Sequence, residues 1–403
     1  MDILFTSPFC PGERTFGSDT RNARVLRRLC SSGHRVHLVH LTRKFLRGPF
    51  RQGLQPPCVS FHSLHVAGCS SPGVQPLSWK QLTRRRSFIL QRYWSNMRRK
   101  GQSVDRQLRS LILRTRASIL WVDHAYLAPI LASLPSIDGM LRIVDTHDVM
   151  HLRDASLRAA GLPSEHDVSR EEERRLLSKF DLVVAIQDQE RDVLQQLLAH
   201  RRVITLGHAA AVEPQPCDSL DICFVGSNYL VNEHSLREFL AQAWPGIRAR
   251  CPATKLRVVG AVCERPAIIA AAQRDSRIVL RGIVSSSADM HAGPAVVVCP
   301  LWAGSGLKIK MVEALAHGKA IVASPVAVQG LSDGIGTAFE LARDPADFIE
   351  PVVRLIGSAT LRQQLEQRAA EYAAQKFNEE FVWREMDKFL CSWQGRRALA
   401  KSA

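Results

Sequence analysis

Short β-branched runs alternate with stretches of helical period along almost the whole chain, and the alternation starts twice. In the first half, Asp2–Ser7, Arg35–Leu41, Cys58–Val66, Ile119–Val122, Leu141–Asp145, Leu182–Ile186 and Val203–Leu206 read as strands, with helical segments such as Arg21–Cys30 and Glu171–Lys179 among them. Continuously apolar strands separated by helices build parallel sheets covered on both faces. Residues 207–219 (GHAAAVEPQPCDS) then break the pattern with two prolines and small polar residues, the composition of an interdomain linker.

After the linker the alternation restarts. Ile222–Val225, Leu256–Val259, Ile278–Leu280, Ala295–Cys299 and Ala320–Ala323 read as strands. Asn232–Gln242, Lys308–His317 and Pro345–Ile356 read as helices, and Ala359 to Trp393 has helical period. The 403 residues, 46% of them hydrophobic, suit two cores of about 200 residues each. The expected fold is therefore α/β: two Rossmann-like, doubly wound domains facing a central cleft. The first covers 1–207, the second covers 208–379, and a C-terminal helix at about 380–403 packs back on the first. Such pairs bind ligands at the carboxyl ends of their strands.

The formal net charge is +16 and the sequence pI about 9.8, which favours phosphate-rich partners without constraining the fold. Much of the charge lies in residues 80–116, where eleven Lys and Arg side chains from Arg84 to Arg116 face one acid, Asp105, and Ile89, Leu90, Tyr93, Trp94 and Met97 recur at helical spacing. A basic amphipathic helix of this kind fits an anionic membrane surface. Equally, it fits a solvated helix whose apolar stripe packs on its own domain. Nucleic acid ranks third, because no nucleic-acid-binding motif accompanies it. The ten cysteines form no CxxC pair, and several sit in apolar runs, such as Cys223 and Cys299; buried free thiols in a reducing compartment are expected. The start MDILFTSPF lacks the basic stretch of a secretion signal. The longest clean apolar run, Ala295 to Ala303, is far short of a bilayer span. A cytoplasmic protein is expected, touching the inner face of the membrane at most peripherally.

The chemistry concentrates in residues 302–331, WAGSGLKIKMVEALAHGKAIVASPVAVQGL, directly after an apolar strand. Gly304, Ser305 and Gly306 form a turn that lets backbone approach a ligand, and Ser305 is placed to cap the helix that follows. The open N–H groups and positive end of that helix make a phosphate site. Lys308 and Lys310 lie in its first two turns, where cations oppose the helix dipole unless an anion binds. Lys310 and Glu313, three apart, share a helix face. Glu313 is then placed to accept from two neighbouring ribose hydroxyls while Lys310 faces phosphate. The bland alternative is an amphipathic helix with a surface Lys–Glu pair.

With these residues in view, the chain resembles the family 4 retaining glycosyltransferases of GT-B fold, in the branch with a Gly-Ser-Gly-Leu-Lys-x-Lys turn. DICFVGSNYLVNEHSLREFL, LRVVG, IVLRGIV and EALAHGKAIVASPVAVQGL resemble its nucleotide-binding domain. GSDTRNARVLRRLCSSGHRVHLV, VDTHDV and FDLVVAIQDQE resemble its acceptor domain, with 45–115 the least similar part. The resemblance implies a donor-ribose role for Glu313. The family's other glutamate, eight positions earlier, falls on Ser305, a departure that bears on how the donor sugar is held. No lysine follows the glycine loop GSNYLVNEHS, so Lys308 or Lys310 would neutralise the pyrophosphate. Gly226 and Ser227 would line the phosphate side, and Gly304, Ser305, Gly306, Leu307 and Lys308 would also bind the nucleotide sugar. Gly282, Ile283 and Val284 would meet the base, and Gly17 and Ser18 would form the acceptor-domain loop that reaches the phosphates. His147 matches a histidine that contacts the transferred sugar. A lone histidine after a strand is otherwise more often structural. Asp148 beside it is a candidate for orienting the loop or acceptor, and Asp123 with His124, after ILWV, forms a similar but weaker pair.

The implied reaction is transfer of a hexose or related sugar from a nucleotide diphosphate donor to a hydroxyl of a glycan or lipid-linked acceptor, in polysaccharide or glycoconjugate biosynthesis, with retention. No Asp-x-Asp pair falls in a cleft loop, so no metal and no cofactor beyond the nucleotide sugar as co-substrate is expected. Two rivals stand beside this reading: a nucleotide-sugar epimerase, and a non-catalytic GT-B-like scaffold that binds anionic lipid or nucleic acid through its basic segment.

Overall fold

A computed structural model of the chain describes residues 1–8, 17–42, 59–65, 106–131, 134, 137 and 139–402. Residue contacts divide these into two units. One holds the described residues up to Leu206, Gly17 excepted, together with those from Glu385 onward; the other holds Gly207–Arg384 and Gly17.

The first unit is a seven-stranded sheet in the order β3-β2-β1-β4-β5-β6-β7. Its strands are β1 (Asp2–Ser7), β2 (Arg35–Thr42), β3 (Ser60–His65), β4 (Ile119–Asp123), β5 (Leu141–Asp145), β6 (Leu182–Ala185) and β7 (Arg202–Thr205). Every pairing is parallel. β4 and β6 are buried along their whole length, as helices on both faces of a parallel sheet require. Helix α1 (Gly17–Ser31) follows β1 and buries Val25, Leu26 and Leu29. The helix at 106–115, α2, is the described end of the basic segment. It buries Leu108, Leu111 and Ile112 in the core of its own unit and leaves Leu113 67% exposed. Residues 80–105, the remainder of that segment, lie outside the described residues.

The second unit is a six-stranded parallel sheet in the order β10-β9-β8-β11-β12-β13. Its strands are β8 (Ile222–Val225), β9 (Leu256–Val259), β10 (Ile278–Gly282), β11 (Val296–Cys299), β12 (Ala320–Ala323) and β13 (Glu340–Leu341). The last was not foreseen, since two residues carry no periodicity. Helix α7 (Leu230–Gln242) follows β8, and α11 (Ile309–Ala316) follows β11. The expected helix from Pro345 begins instead as a 3-10 turn, Pro345–Phe348, and continues as an α-helix over Ile349–Gly357. The tail divides into Ala359–Lys376 and Glu379–Ser402. From Glu385 the last helix belongs to the first unit, where Asp387 pairs with Arg28 at 2.7 Å and Phe389 lies under Arg202. Among the described residues no helix is long and apolar enough to cross a membrane. None of the seven described cysteines is in a disulfide, and burial pushes the Cys223 thiol up to about 12.

His291, fully buried beside His317 and hydrogen-bonded to Ser287 O at 2.8 Å, is expected to make the second unit acid-sensitive. Burial lowers its pKa to about 3, below the ordinary 6.5. Its contribution to stability is therefore complete above pH 6.5 and is lost as pH falls toward 3, because the unfolded chain takes up the proton first. Urea unfolding between pH 7 and 4 should show a slope of up to about 1.4 kcal/mol per pH unit from this group, and His291→Gln should flatten it. An unchanged slope in that variant would assign the acid sensitivity elsewhere.

Candidate functional site

In each sheet the chain leaves the first strand in one direction and returns to its other side later, so that β1 and β4, and likewise β8 and β11, flank a point where strand order reverses. Loops after such strands part and leave a crevice at the carboxyl ends.

In the second unit the loops after β8, β9 and β10 are stitched by their backbones. Gly226 N donates to Val259 O (2.9 Å), Val262 N to Gly226 O (3.1 Å) and Gly260 N to Gly282 O (2.7 Å). Gly260 has φ +99°, and a Cβ there would lie 2.3 Å from Gly226 O. The two loops thus pack backbone against backbone. Gly282 and Val284 follow at the end of β10, with Ile283 51% exposed between them.

Across the switch point, the apolar β11 runs into the glycine turn. Gly304 and Gly306 take φ +118° and +76°. That left-handed backbone delays the helix. α11 starts at Ile309 with Lys308 as an extended N-cap, and no side chain caps it. The expectation that Ser305 caps this helix is therefore corrected: Gly306 breaks the turn between them, and the buried Ser305 Oγ has no hydrogen-bond partner among the described residues. Lys308 folds back on the turn, its ammonium donating to Ser305 O (2.8 Å), Gly306 O (2.6 Å) and Gln329 Oε1 (3.0 Å). Through these contacts Lys308 clamps the turn.

Lys310 is placed differently. Its ammonium donates to Val225 O (2.6 Å), the last carbonyl of β8, and to Asn232 Oδ1 (2.8 Å) on α7, and lies 5.1 Å from the centre of the Phe224 ring. Asn232 in turn donates to Ser227 O (3.0 Å) and Oγ (3.1 Å). One cation thus joins the start of α11 to the loop after β8. Burial pushes its pKa below the lysine range, and it makes no ion pair among the described residues. A desolvated cation at the positive end of a helix is unfavourable unless an opposite charge compensates it. Glu313, one turn further along α11, is only 8% exposed. Neither residue belongs to a solvated surface pair.

In the first unit the switch point gathers a polar cluster from four segments. β4 and β5 end in Asp123 and Asp145, which are register partners. Two neighbouring residues of α1 serve them separately. Arg21 pairs with Asp145 at 2.8 Å and also donates to Leu206 O (2.8 Å), while Asn22 donates to Asp123 Oδ2 at 2.6 Å. Ser7 Oγ, at the end of β1, donates to the same Oδ2 at 2.7 Å. His147 Nε2 lies 2.5 Å from Asp123 Oδ1, and His124 Nδ1 lies 3.1 Å from Oδ2. The two imidazoles stack with centroids 3.6 Å apart. Both histidines hold positive φ, +77° at His124 and +61° at His147, a conformation that persists only where surrounding contacts enforce it. Burial would raise the Asp123 pKa, but the two imidazoles and their hydrogen bonds outweigh it and hold the carboxyl well below its usual range. Burial lowers the His124 pKa, with Asp123 opposing.

The partner of His147 is thus Asp123 rather than its neighbour Asp148, which pairs with Arg153. The sequence signal was a near-repeat, VDH at the end of β4 and VDTH at the end of β5. It was legible as two separate pairs, not as one cluster. Gly17 and Ser18 open α1, one turn ahead of Arg21 and Asn22. The ligand atoms of Asp123, His124 and His147 lie within 4.8 Å of one another. Around a zinc ion such atoms would sit about 3.3 Å apart; the 2.5 and 3.1 Å separations here are those of hydrogen bonds and close polar contact.

The comparisons with known proteins agree with this architecture. Residues 219–358, inside the second unit, match the family model described as glycosyl transferases group 1. The chain has the GT-B fold, two parallel-sheet Rossmann-like units in tandem, and the match to that model lies within its second unit. Among solved structures it is similar to the sucrose-phosphate synthase of Thermosynechococcus elongatus, at 15% identity over 98% of this chain and 99% of that one, with a TM-score of 0.73. Similar too are the trehalose 6-phosphate synthase of Burkholderia multivorans (14%, 100% and 98%, 0.67) and Anabaena HepE in complex with UDP and glucose (14%, 97% and 100%, 0.65). At such identities the likeness shows the fold. No protein of curated function matches the chain in sequence.

Proposed function

We propose that the protein transfers a sugar from a nucleoside diphosphate sugar to an acceptor hydroxyl, with retention at the anomeric carbon and without a divalent ion. The observation that carries this reading is Lys310: a desolvated ammonium at the start of α11, tied to the last carbonyl of β8 and making no ion pair among the described residues. When the glycosidic bond of a donor breaks, the leaving diphosphate gains charge. Lys310 and the open N–H groups of α11 are arranged to meet that charge without reorganising. Glu313 takes the ribose hydroxyls, Gly226 and Ser227 line the phosphates, and the exposed Ile283 with its neighbours meets the base. Lys308 acts one step removed, by holding the turn. A uridine donor is the first to test, because the Anabaena HepE structure holds UDP and glucose. A hexose and an acceptor in polysaccharide or glycoconjugate assembly complete the proposal.

A panel of nucleotide sugars, assayed for transfer with and without EDTA, tests it. Lys310→Ala and Glu313→Ala should each lower kcat/KM by about 10²–10³-fold, with EDTA neutral. Wild-type donor binding and turnover in both variants would place the donor elsewhere and favour a scaffold. Conversion of the donor to its epimer with no acceptor present would favour the epimerase instead.

A further inference from the structure

Asp123 is a heavily engaged carboxylate of the first unit, and the transfer scheme gives it no task. It is fully buried at the end of β4 and receives hydrogen bonds from Ser7 Oγ, Asn22 Nδ2 and His147 Nε2, with His124 Nδ1 within 3.1 Å. An ionised carboxylate only accepts hydrogen bonds. Each group facing it must therefore donate, and the proton of His147 is fixed on Nε2. Its other ring nitrogen, Nδ1, makes no hydrogen bond among the described residues. In the neutral ring that nitrogen carries a lone pair.

Four chain segments are committed to this arrangement. Ser7 and Asn22 converge on one oxygen, Oδ2, so the second, Oδ1, is left for His147. Arg21 occupies the neighbouring Asp145, so the second carboxylate at this sheet end does not compete for the ring. Asp148 is occupied by Arg153. The stacked His124 covers one face of the imidazole and blocks its rotation. The left-handed backbone at both histidines is the conformational cost of this placement, of order 1–3 kcal/mol each.

We propose that Asp123 is a positioning residue, which locks His147 in the Nε2–H tautomer and so presents Nδ1 as a hydrogen-bond acceptor to a hydroxyl group of the donor sugar or the acceptor. The substrate class recognised at Nδ1 is therefore a hydroxyl donor, not an anion. This rests on the transferase reading for its kinetic consequence but not for its structural one. Asp123→Asn keeps the side-chain shape and reverses the logic. Ser7 and Asn22 claim the single amide oxygen, the amide NH₂ turns to His147, and Nε2 must then accept, which moves the ring proton to Nδ1 and removes the acceptor.

Two measurements decide the matter. Nitrogen-15 NMR of the ligand-free wild-type protein, with the His147 signals assigned by their loss in His147→Asn, should show a protonated Nε2 and a bare Nδ1. Asp123→Asn should exchange the two. This needs no turnover, so it stands even if the protein transfers no sugar. In the transfer assay Asp123→Asn should lower kcat by about 10–10²-fold, the cost of leaving a desolvated hydroxyl without its acceptor, while the donor KM changes less than threefold. A proton on Nδ1 in the wild type would overturn the proposal. So would wild-type kcat in a folded Asp123→Asn protein. So, too, would one equivalent of tightly bound metal that disappears on this substitution, since the three side chains would then be ligands rather than a hydrogen-bonded set.

Discussion

Arg21→Ala is expected to lower the free energy of unfolding by about 3–5 kcal/mol, the cost of stripping one partner from a buried ion pair. Arg21 is 1% exposed and the Asp145 side chain 2%. Without the guanidinium, Asp145 is left charged in the core next to Asp123, its register partner on β4, and Leu206 O loses its donor. The cost comes from the stranded charge more than from the lost attraction. Arg21→Ala combined with Asp145→Asn should therefore be less destabilising than the sum of the single changes. Urea denaturation of the four proteins measures this directly. An additive double variant, or a single variant within 1 kcal/mol of wild type, would show that Asp145 finds water or another donor. Because Asn22 is the next residue on α1, the same loss should disturb the hydrogen bond that holds Asp123.

Gly260→Ala should have the second large effect, and on binding as much as on stability. Its Cβ would enter at 2.3 Å from Gly226 O, a backbone atom that cannot rotate away, and the φ of +99° is itself strained for alanine. The loop after β8 has to move, and with it Ser227 and the Asn232–Lys310 link. We expect at least about 2 kcal/mol lost in stability and at least a tenfold weaker donor nucleotide, read as a smaller thermal shift at a fixed ligand concentration. Gly282→Ala is the control. It also sits at positive φ, +66°, but a Cβ there meets nothing within 4 Å, so only the conformational cost of about 1 kcal/mol applies. Equal effects at the two glycines would mean that the close approach of the loops is unimportant.

Much of the fold was legible because the signals are local. A continuously apolar run of four or five residues, as in Val296–Cys299 or Ala320–Ala323, is a buried parallel strand wherever it stands, and the prolines at 214 and 216 mark a break by themselves. The Lys310–Glu313 spacing on one helix face was equally readable. What misled the reading was also local: Ser305 has the chemistry of a cap, but the left-handed Gly306 places the helix start three residues later than a cap there would require. Lys308 and Lys310 look alike in sequence, yet one closes on its own turn and the other reaches a strand 85 residues away.

The sequence by itself determined two α/β units, the strand ends at which polar residues collect, and the glycine turn before a lysine-bearing helix, because periodicity and backbone preference act over a few residues. The tertiary structure alone decided that Asp123, not Asp148, holds His147, that Arg21 and Asn22 divide two carboxylates between them, and that Lys310 joins α11 to β8. Those partners are 24 to 124 residues apart. They meet only because the strand order brings β1, β4 and β5, or β8 and β11, side by side in one register.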